Sequence, residues 1–209
     1  MRALIVLGGD PPDAALLRRC ARQADWTAAA DSGLAAFHSA GLVPDFLLGD
    51  MDSVDPGVLR RYEGRVPEER LSRIKDDTDG VHAVDAAVKR GAKEITLLGA
   101  LGGRPDHLLG NLMLLIRAHR LGARAEILAE GLRVCRVPGR MTLDGAKGET
   151  VSLLALGAAE GVSLRGFFYP LEGGRMDSGF PLGISNTVTA DTAEIAVESG
   201  DLLLFEFFR

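Results

Sequence analysis

The sequence predicts an α/β chain: a doubly wound layer on a parallel sheet, then an all-β sandwich or barrel. Over the first two-thirds, short runs that are apolar throughout alternate with helical patterns, as expected of strands buried on both faces of a parallel sheet. After about Gly131 the helical periodicity ends, and strand-like pieces follow at turn spacing, divided by Gly, Pro and Asp. The composition agrees. At 46% hydrophobic and 25% charged over 209 residues, the chain suits a soluble globular protein of about one large or two small domains. Aromatics are only 5%, so Leu, Val, Ile and Ala must build the core.

In order, Ala3 to Leu7 reads as a buried strand that Gly8-Gly9-Asp10-Pro11-Pro12 breaks, with a helix from about Asp13 to Gln23. Trp26 to Ala30 is a strand, Ser32 to Ala40 a helix and Asp45 to Leu48 a strand. A helix opens near Pro56, where the missing N–H does no harm. A short strand is expected at Leu71 to Ile74. Thr78 to Arg90 is helical, with Val81, Val84, Ala87 and Val88 on one face. Glu94 to Leu98 is a strand, Pro105 to Leu121 a helix and Ala125 to Leu128 a strand. The β-rich remainder reads as strands at Leu132 to Val137, Met141 to Leu143, Thr150 to Leu156, Val162 to Leu164, Ile184 to Val188, Ala193 to Val197 and Leu202 to Phe207. The Gly-rich stretch Glu172 to Gly183 is expected to be a mobile loop.

With 24 Lys and Arg against 29 Asp and Glu, the net charge of −5 gives no global attraction to nucleic acid or anionic membrane. No run of 18 apolar residues suggests a membrane span, and the apolar start is too short for a secretory signal. Cys20 and Cys135 are far apart, at no metal-ligand spacing, and read as buried free thiols suited to a reducing cytosol.

The familiar nucleotide and hydrolase fingerprints are absent: no GxxxxGK[ST], no GxGxxG after the first strand, no HExxH and no GxSxG. Instead, aspartates sit near strand ends: Asp31, Gly49-Asp50-Met51-Asp52-Ser53, Lys75-Asp76-Asp77-Thr78-Asp79 and Gly102-Gly103-Arg104-Pro105-Asp106-His107. In a parallel sheet these segments share the carboxyl edge, where open α/β sheets bind ligands. Carboxylates crowded there repel one another unless a hard cation such as Mg²⁺ joins them, leaving coordination sites for phosphate oxygens. Arg104 behind two glycines suits a phosphate grip. Simpler roles remain open at this point. Asp76, Thr78 and Asp79 also suit a helix N-terminus, Asp106 suits a first-turn acid, and His107 and Asn111 suit a solvated helix face. The residues by themselves point to Mg²⁺ and polyphosphate.

The ordered set Asp31-Ser32-Gly33, Pro44-Asp45, Gly49-Asp50-Met51-Asp52-Ser53, Lys75-Asp76-Asp77-Thr78-Asp79, Gly102-Gly103-Arg104-Pro105-Asp106-His107 with Asn111, and Gly183-Ile184-Ser185-Asn186 resembles the thiamine pyrophosphokinase (thiamine diphosphokinase) family. The likeness runs from Gly8 to the final strand. It implies an N-terminal Rossmann-like doubly wound parallel sheet, residues 1–131, binding ATP and Mg²⁺, and a C-terminal all-β sandwich, residues 132–209, for thiamine binding and dimerisation. It further implies a cytoplasmic homodimer with active sites between subunits. By position, Asp50, Asp52, Asp79 and Asp106 resemble the residues that organise Mg²⁺ and the polyphosphate, with Arg104 acting beside them in catalysis. ATP binding is implied for Asp31, Ser32, Gly33, Lys75, Thr78, Gly102, Gly103, Arg104, His107 and Asn111, and thiamine binding for Tyr169, Ser185 and Asn186. Two positions depart from the pattern: Ser32 where a glycine is usual, and Met51 where Phe is common.

The expected reaction is attack of the thiamine hydroxyl on the β-phosphorus of ATP, giving thiamine diphosphate and AMP. Alternatives are a pyrophosphokinase acting on a hydroxymethyl-pterin, a non-catalytic nucleotide- or thiamine-binding module, and a Mg²⁺-dependent phosphohydrolase. The clustered acids disfavour a module that only binds.

Overall fold

The computed structural model describes residues 1–72 and 76–208. The chain divides into two compact units, Met1–Glu130 and Gly131–Arg209.

In the first unit, β1 (Arg2–Val6), α1 (Ala14–Gln23), β2 (Trp26–Ala30), α2 (Leu34–Ser39), β3 (Phe46–Gly49), α3 (Pro56–Leu59), β4 (Glu68–Arg70), α4 (Asp79–Lys89), β5 (Glu94–Leu98), α5 (Pro105–Arg120) and β6 (Arg124–Ala129) follow in turn. The strands lie in the order β4-β3-β2-β1-β5-β6, and every pairing among them is parallel. The chain steps outward from β1 to β4, then adds β5 and β6 on the other side of β1. The carboxyl ends of all these strands therefore share one edge, and the order reverses between β1 and β5.

Local chemistry sets the helix starts. Asp13 accepts from the backbone N–H groups of Ala15 (2.7 Å) and Leu16 (3.0 Å), so α1 begins one residue later than the apolar pattern predicts. Leu16, Leu17 and Cys20 form the buried face of α1, packed with Leu4, Val6, Phe37 and Leu47. Pro105 opens α5, and Arg117, His119 and Arg120 close it against the helix dipole. Arg117 holds Asp85 of α4 by two bonds of 2.6 Å, clasping α5 to α4. Thr27 and Asp45 exchange four hydrogen bonds of 2.8–3.0 Å and lock the β2–β3 step. Asp45, part of the family-like set, is thus occupied within the fold.

Two expectations are corrected here. The strand placed at Leu71 to Ile74 lies earlier, at Glu68–Arg70; Arg73 and Ile74 fall outside the described residues. β4 is polar and exposed, and only its pairing with Leu47–Gly49 defines it. The helix expected from Ser32 starts instead as a 3-10 turn, Asp31–Gly33, before α2.

In the second unit, β7 (Leu132–Arg136), β8 (Arg140–Asp144), β9 (Thr150–Arg165), β10 (Leu171–Asp177), β11 (Gly183–Thr187), β12 (Thr192–Ala196) and β13 (Ser199–Phe207) follow in turn. They pair antiparallel in the order β7-β13-β9-β12-β8, with β10 and β11 also on β9. Val151, Leu153, Val162, Leu164, Ile195, Leu202 and Leu204 centre the core. The two strands expected at Thr150 to Leu156 and Val162 to Leu164 are one 16-residue strand. Gly157 and Gly161 read as breakers, but β13 pairs along Thr150 to Glu160 and β10 along Ala158 to Leu164, carrying the ladder across them. The loop expected from Glu172 is likewise β10 as far as Asp177. Its glycines coincide with shifts of register and leave the pairing in place.

Candidate active site

At the shared strand edge of the first unit, the loops after β2 and β3 meet. Gly49 makes the meeting possible. Its φ is +136°, and a Cβ there would lie 3.2 Å from the Cβ and backbone N of Asp31. Asp31 and Met51 hold left-handed backbone, φ +50° and +61°, which non-glycine residues adopt at a cost. Met51 buries its side chain and so anchors the loop, while Asp50 and Asp52 on either side turn outward. The Asp52 N–H donates to Asp50 Oδ1 at 3.0 Å, an Asx turn within the pair.

The result is a knot of acid. Asp31, Asp50 and Asp52 each offer a carboxylate oxygen within 4.8 Å of the others. Asp31 is half-buried; Ser53 Oγ donates to its Oδ2, while its buried Oδ1 meets no donor among the described residues. Burial pushes the Asp31 carboxyl above the usual carboxylate range; the Ser53 bond opposes this, and the charges of Asp79, Asp50 and Asp52 add to it. Asp79, the first residue of α4 behind its Thr78 cap, thus acts on the knot through its field.

Across the edge, after β5, Gly102 and Gly103 both take left-handed φ (+75° and +65°). A Cβ on Gly102 would strike the Asp10 carboxylate at 2.0 Å, so glycine lets the loop after β1 close over it. Arg104 extends into solvent and grips Asp106 with two bonds, Nε to Oδ1 at 3.1 Å and Nη2 to Oδ2 at 2.6 Å. This guanidinium fork, aided by the His107 N–H, holds the Asp106 carboxyl at about 2. Asn111 donates to the Ala100 carbonyl at 2.8 Å and so ties α5 to the same loop. Ser32 fills the space beside Gly8, where a methyl would lie 2.2 Å from its Oγ, and Gly33 is buried behind it. Lys75 lies outside the described residues.

In the second unit, Asn186 is 3% exposed and its amide is bound to backbone: Oδ1 accepts from Tyr169 N–H (3.0 Å) and Thr187 N–H (2.9 Å), and Nδ2 donates to Tyr169 O (2.8 Å). Tyr169 itself is 64% exposed and meets Phe168 edge to face, with ring centroids 4.8 Å apart. Ser185 takes left-handed backbone, φ +58°, and its N–H donates to buried Ser152 Oγ at 3.0 Å.

The family model for the thiamin pyrophosphokinase catalytic domain matches residues 17–127, and that for its vitamin B1 binding domain matches residues 140–203. The chain belongs to the thiamin pyrophosphokinase family. A curated relative, thiamine pyrophosphokinase of Bacillus subtilis (strain 168), is 27% identical over 178 residues, 83% of each chain. The crystal structure of thiamin pyrophosphokinase from Geobacillus thermodenitrificans aligns with a TM-score of 0.82 at 27% identity, covering 100% of this chain and 98% of that one. The Bacillus subtilis enzyme's structure aligns over both whole chains with a TM-score of 0.84 at 24% identity, a likeness of fold. The mixed α/β fold is therefore that of solved thiamin pyrophosphokinases, and this chain is an enzyme of that class.

For a thiamin pyrophosphokinase, the acids expected together sort into two groups. Asp50 and Asp52 converge with Asp31, which the sequence reading placed near nucleotide or metal, whereas Asp106 is engaged by Arg104. Ser53 and Ser152 were not singled out. Ser53 stands inside a recognised motif, but nothing in the order of residues says that its hydroxyl faces Asp31. Ser152 leaves a faint signal, as a polar residue within the apolar run from Val151 to Leu156.

Proposed function

We propose that this chain transfers the pyrophosphoryl group of ATP to the hydroxyl of thiamine, giving thiamine diphosphate and AMP. The observation that carries the reading is the convergence of Asp31, Asp50 and Asp52 within 4.8 Å in a chain of this family. The donor set fits a hard divalent cation: oxygen ligands from two loops, one of them the buried Asp31 Oδ1 that meets no donor among the described residues. Asp31, Asp50 and Asp52 would hold Mg²⁺, with Asp79 close by. Bound there, the ion supplies charge neutralisation and coordination sites for phosphate oxygens.

The protein's own part is positioning and charge. The hydroxyl oxygen of thiamine attacks the β-phosphorus while the bond to the α–β bridging oxygen breaks, and AMP leaves with that oxygen. Arg104, exposed and exchangeable from Asp106, balances charge on the phosphates. Asp79 or Asp106 accepts the proton of the hydroxyl. Ser32, Gly33, Thr78, Gly102, Gly103 and His107 frame the nucleotide, and Asn111 holds the β5 loop for it. Tyr169, Ser185 and Asn186 serve thiamine.

We read residues 1–131, the first unit and one residue beyond it, as a Rossmann-like catalytic layer, supported by the reversal of strand order at β1. Residues 132–209 we read as a β-sandwich for thiamine and dimerisation. It exposes Phe168, Phe180, Leu182, Ile184, Phe207 and Phe208, apolar area that suits a homodimer with active sites between subunits. A cytoplasmic location is supported by two buried free thiols. Among the described residues, no helix is long and apolar enough to cross a membrane.

The test is incubation with ATP, Mg²⁺ and thiamine, followed by product identification. AMP and thiamine diphosphate are expected. Free phosphate alone, or turnover only with a hydroxymethyl-pterin, overturns the reading.

A further inference from the structure

We propose that Asn186 is a positioning residue that acts on thiamine only through Tyr169, whose ring it fixes as a shelf for the substrate. The inference rests on the assignment of Tyr169 to the thiamine side made above. It starts from a mismatch between backbone and side chain at Tyr169. The ring is 64% exposed, and its aromatic neighbour Phe168 is 65% exposed, so little packing within the unit locates it. The backbone beneath is fixed from several sides. Its N–H and its carbonyl are both bound by the one amide of Asn186, at 3.0 and 2.8 Å. The Phe168 N–H is bound by the Thr187 carbonyl at 2.9 Å, and Pro170 restricts Tyr169 to extended conformations.

The orientation of the amide is set by its partners. Oδ1 faces two N–H donors and Nδ2 faces a carbonyl, and the flipped amide would place donors against donors. A buried amide is costly unless its polar atoms are matched, and here the matching is spent chiefly on one exposed aromatic residue. Holding an exposed ring in advance removes ordering cost at the moment of binding, which is what a stacking platform requires. With Asn186 buried and its amide committed to Tyr169 and Thr187, Tyr169 and the exposed Ser185 are left to meet the substrate.

The experiment is a double-mutant cycle in the full-length enzyme, with the thiamine KM, ATP KM and kcat measured for each variant. Asn186→Asp keeps the oxygen that both N–H groups use and removes the bond to the Tyr169 carbonyl; Asn186→Ala removes all three. Tyr169→Ala is expected to raise the thiamine KM about tenfold, with the ATP KM within about twofold. Asn186→Asp is expected to raise the thiamine KM about threefold or more in the native and Tyr169→Phe backgrounds. In the Tyr169→Ala background it should have no further effect, because the ring through which it acts is gone. A penalty of equal size in the Tyr169→Ala background overturns the proposal, since Asn186 would then act on thiamine independently. A normal thiamine KM in folded Asn186→Asp overturns it too. If Tyr169→Ala leaves the thiamine KM unchanged, the shelf itself is wrong. Failure of the native enzyme to turn over thiamine is a separate result that overturns the functional assignment. If Asn186→Ala does not fold, Asn186→Asp alone decides, its fold checked by near-UV circular dichroism.

Discussion

In the first unit, three carboxylates crowd within 4.8 Å on loops strained at Asp31 and Met51, and one buried oxygen of Asp31 meets no donor among the described residues. In the second, the buried amide of Asn186 accepts twice, donates once and holds an exposed aromatic ring. Both arrangements are built on polar groups taken out of water, and they differ in what completes them. The acidic edge gathers three carboxylates that an incoming cation would join. The aromatic shelf is satisfied in advance, so its ligand adds contact to a surface already in place. Metal and polyphosphate should therefore stabilise the first unit strongly on binding, and thiamine should change the second unit little.

The sharpest way to break this contrast is Asp52→Asn. It removes a charge from the knot and a ligand from the cation, so turnover with saturating Mg²⁺ and ATP should fall on the order of a hundredfold or more. Melting without metal should be unchanged or higher, because one of the charges that add to the effect of burial in raising the Asp31 carboxyl is removed. Near-normal turnover in a destabilised protein would instead make Asp52 a turn residue.

Gly49→Ala tests the same edge through the backbone and should fail in the opposite direction. At φ +136°, with Asp31 atoms 3.2 Å from the new methyl, it should destabilise the metal-free protein by about 1–3 kcal/mol. It should also lower kcat/KM about tenfold by spreading the two loops. Melting curves and turnover on this variant and on Asp52→Asn separate charge from shape.

A smaller effect is expected at the clasp between α4 and α5, which supports the edge from behind. Arg117 holds the Asp85 carboxyl below its ordinary value of 3.8, mainly by direct hydrogen bonding. A lowered folded value means that the bond's stability is fully present above the unfolded value and is lost as pH falls through the folded one. The Arg117 side chain is 40% exposed, so solvent screens the pair and about 1 kcal/mol is expected from Asp85→Asn at neutral pH. Denaturant titrations should show that difference close as pH falls below 3.8 through the lowered folded value. A difference that persists in acid would assign the effect to packing.

How much of this was legible in the sequence depended on whether a feature is local. Apolar-rich runs such as Trp26 to Ala30 and Glu94 to Leu98 gave their strands directly. β4 was misplaced because Glu68–Arg70 has no apolar signature, and β9 was split because a glycine signals a break only when no neighbouring strand spans it. At the site, Asp50 and Asp52 were readable from spacing, and Asp31 from its place at the same strand edge. How closely Asp31 approaches them was not, since it depends on Gly49 letting two loops touch, and neither was the inward turn of Asn186, which depends on a partner 17 residues away.

Each unit also holds one free cysteine, Cys20 on α1 and Cys135 on β7, both 7% exposed. Burial raises the Cys20 thiol above its ordinary range, so a thiol reagent must wait for its surroundings to open. The molecule thus carries a separate chemical timer in each half, readable without any label being introduced. With Cys135→Ser, leaving Cys20 to react, modification should slow on adding Mg²⁺ and ATP and be nearly indifferent to thiamine. With Cys20→Ser, the nucleotide should leave the modification rate of Cys135 almost unchanged, and mass spectrometry of the two single-thiol proteins would follow each half's opening as its own ligand arrives.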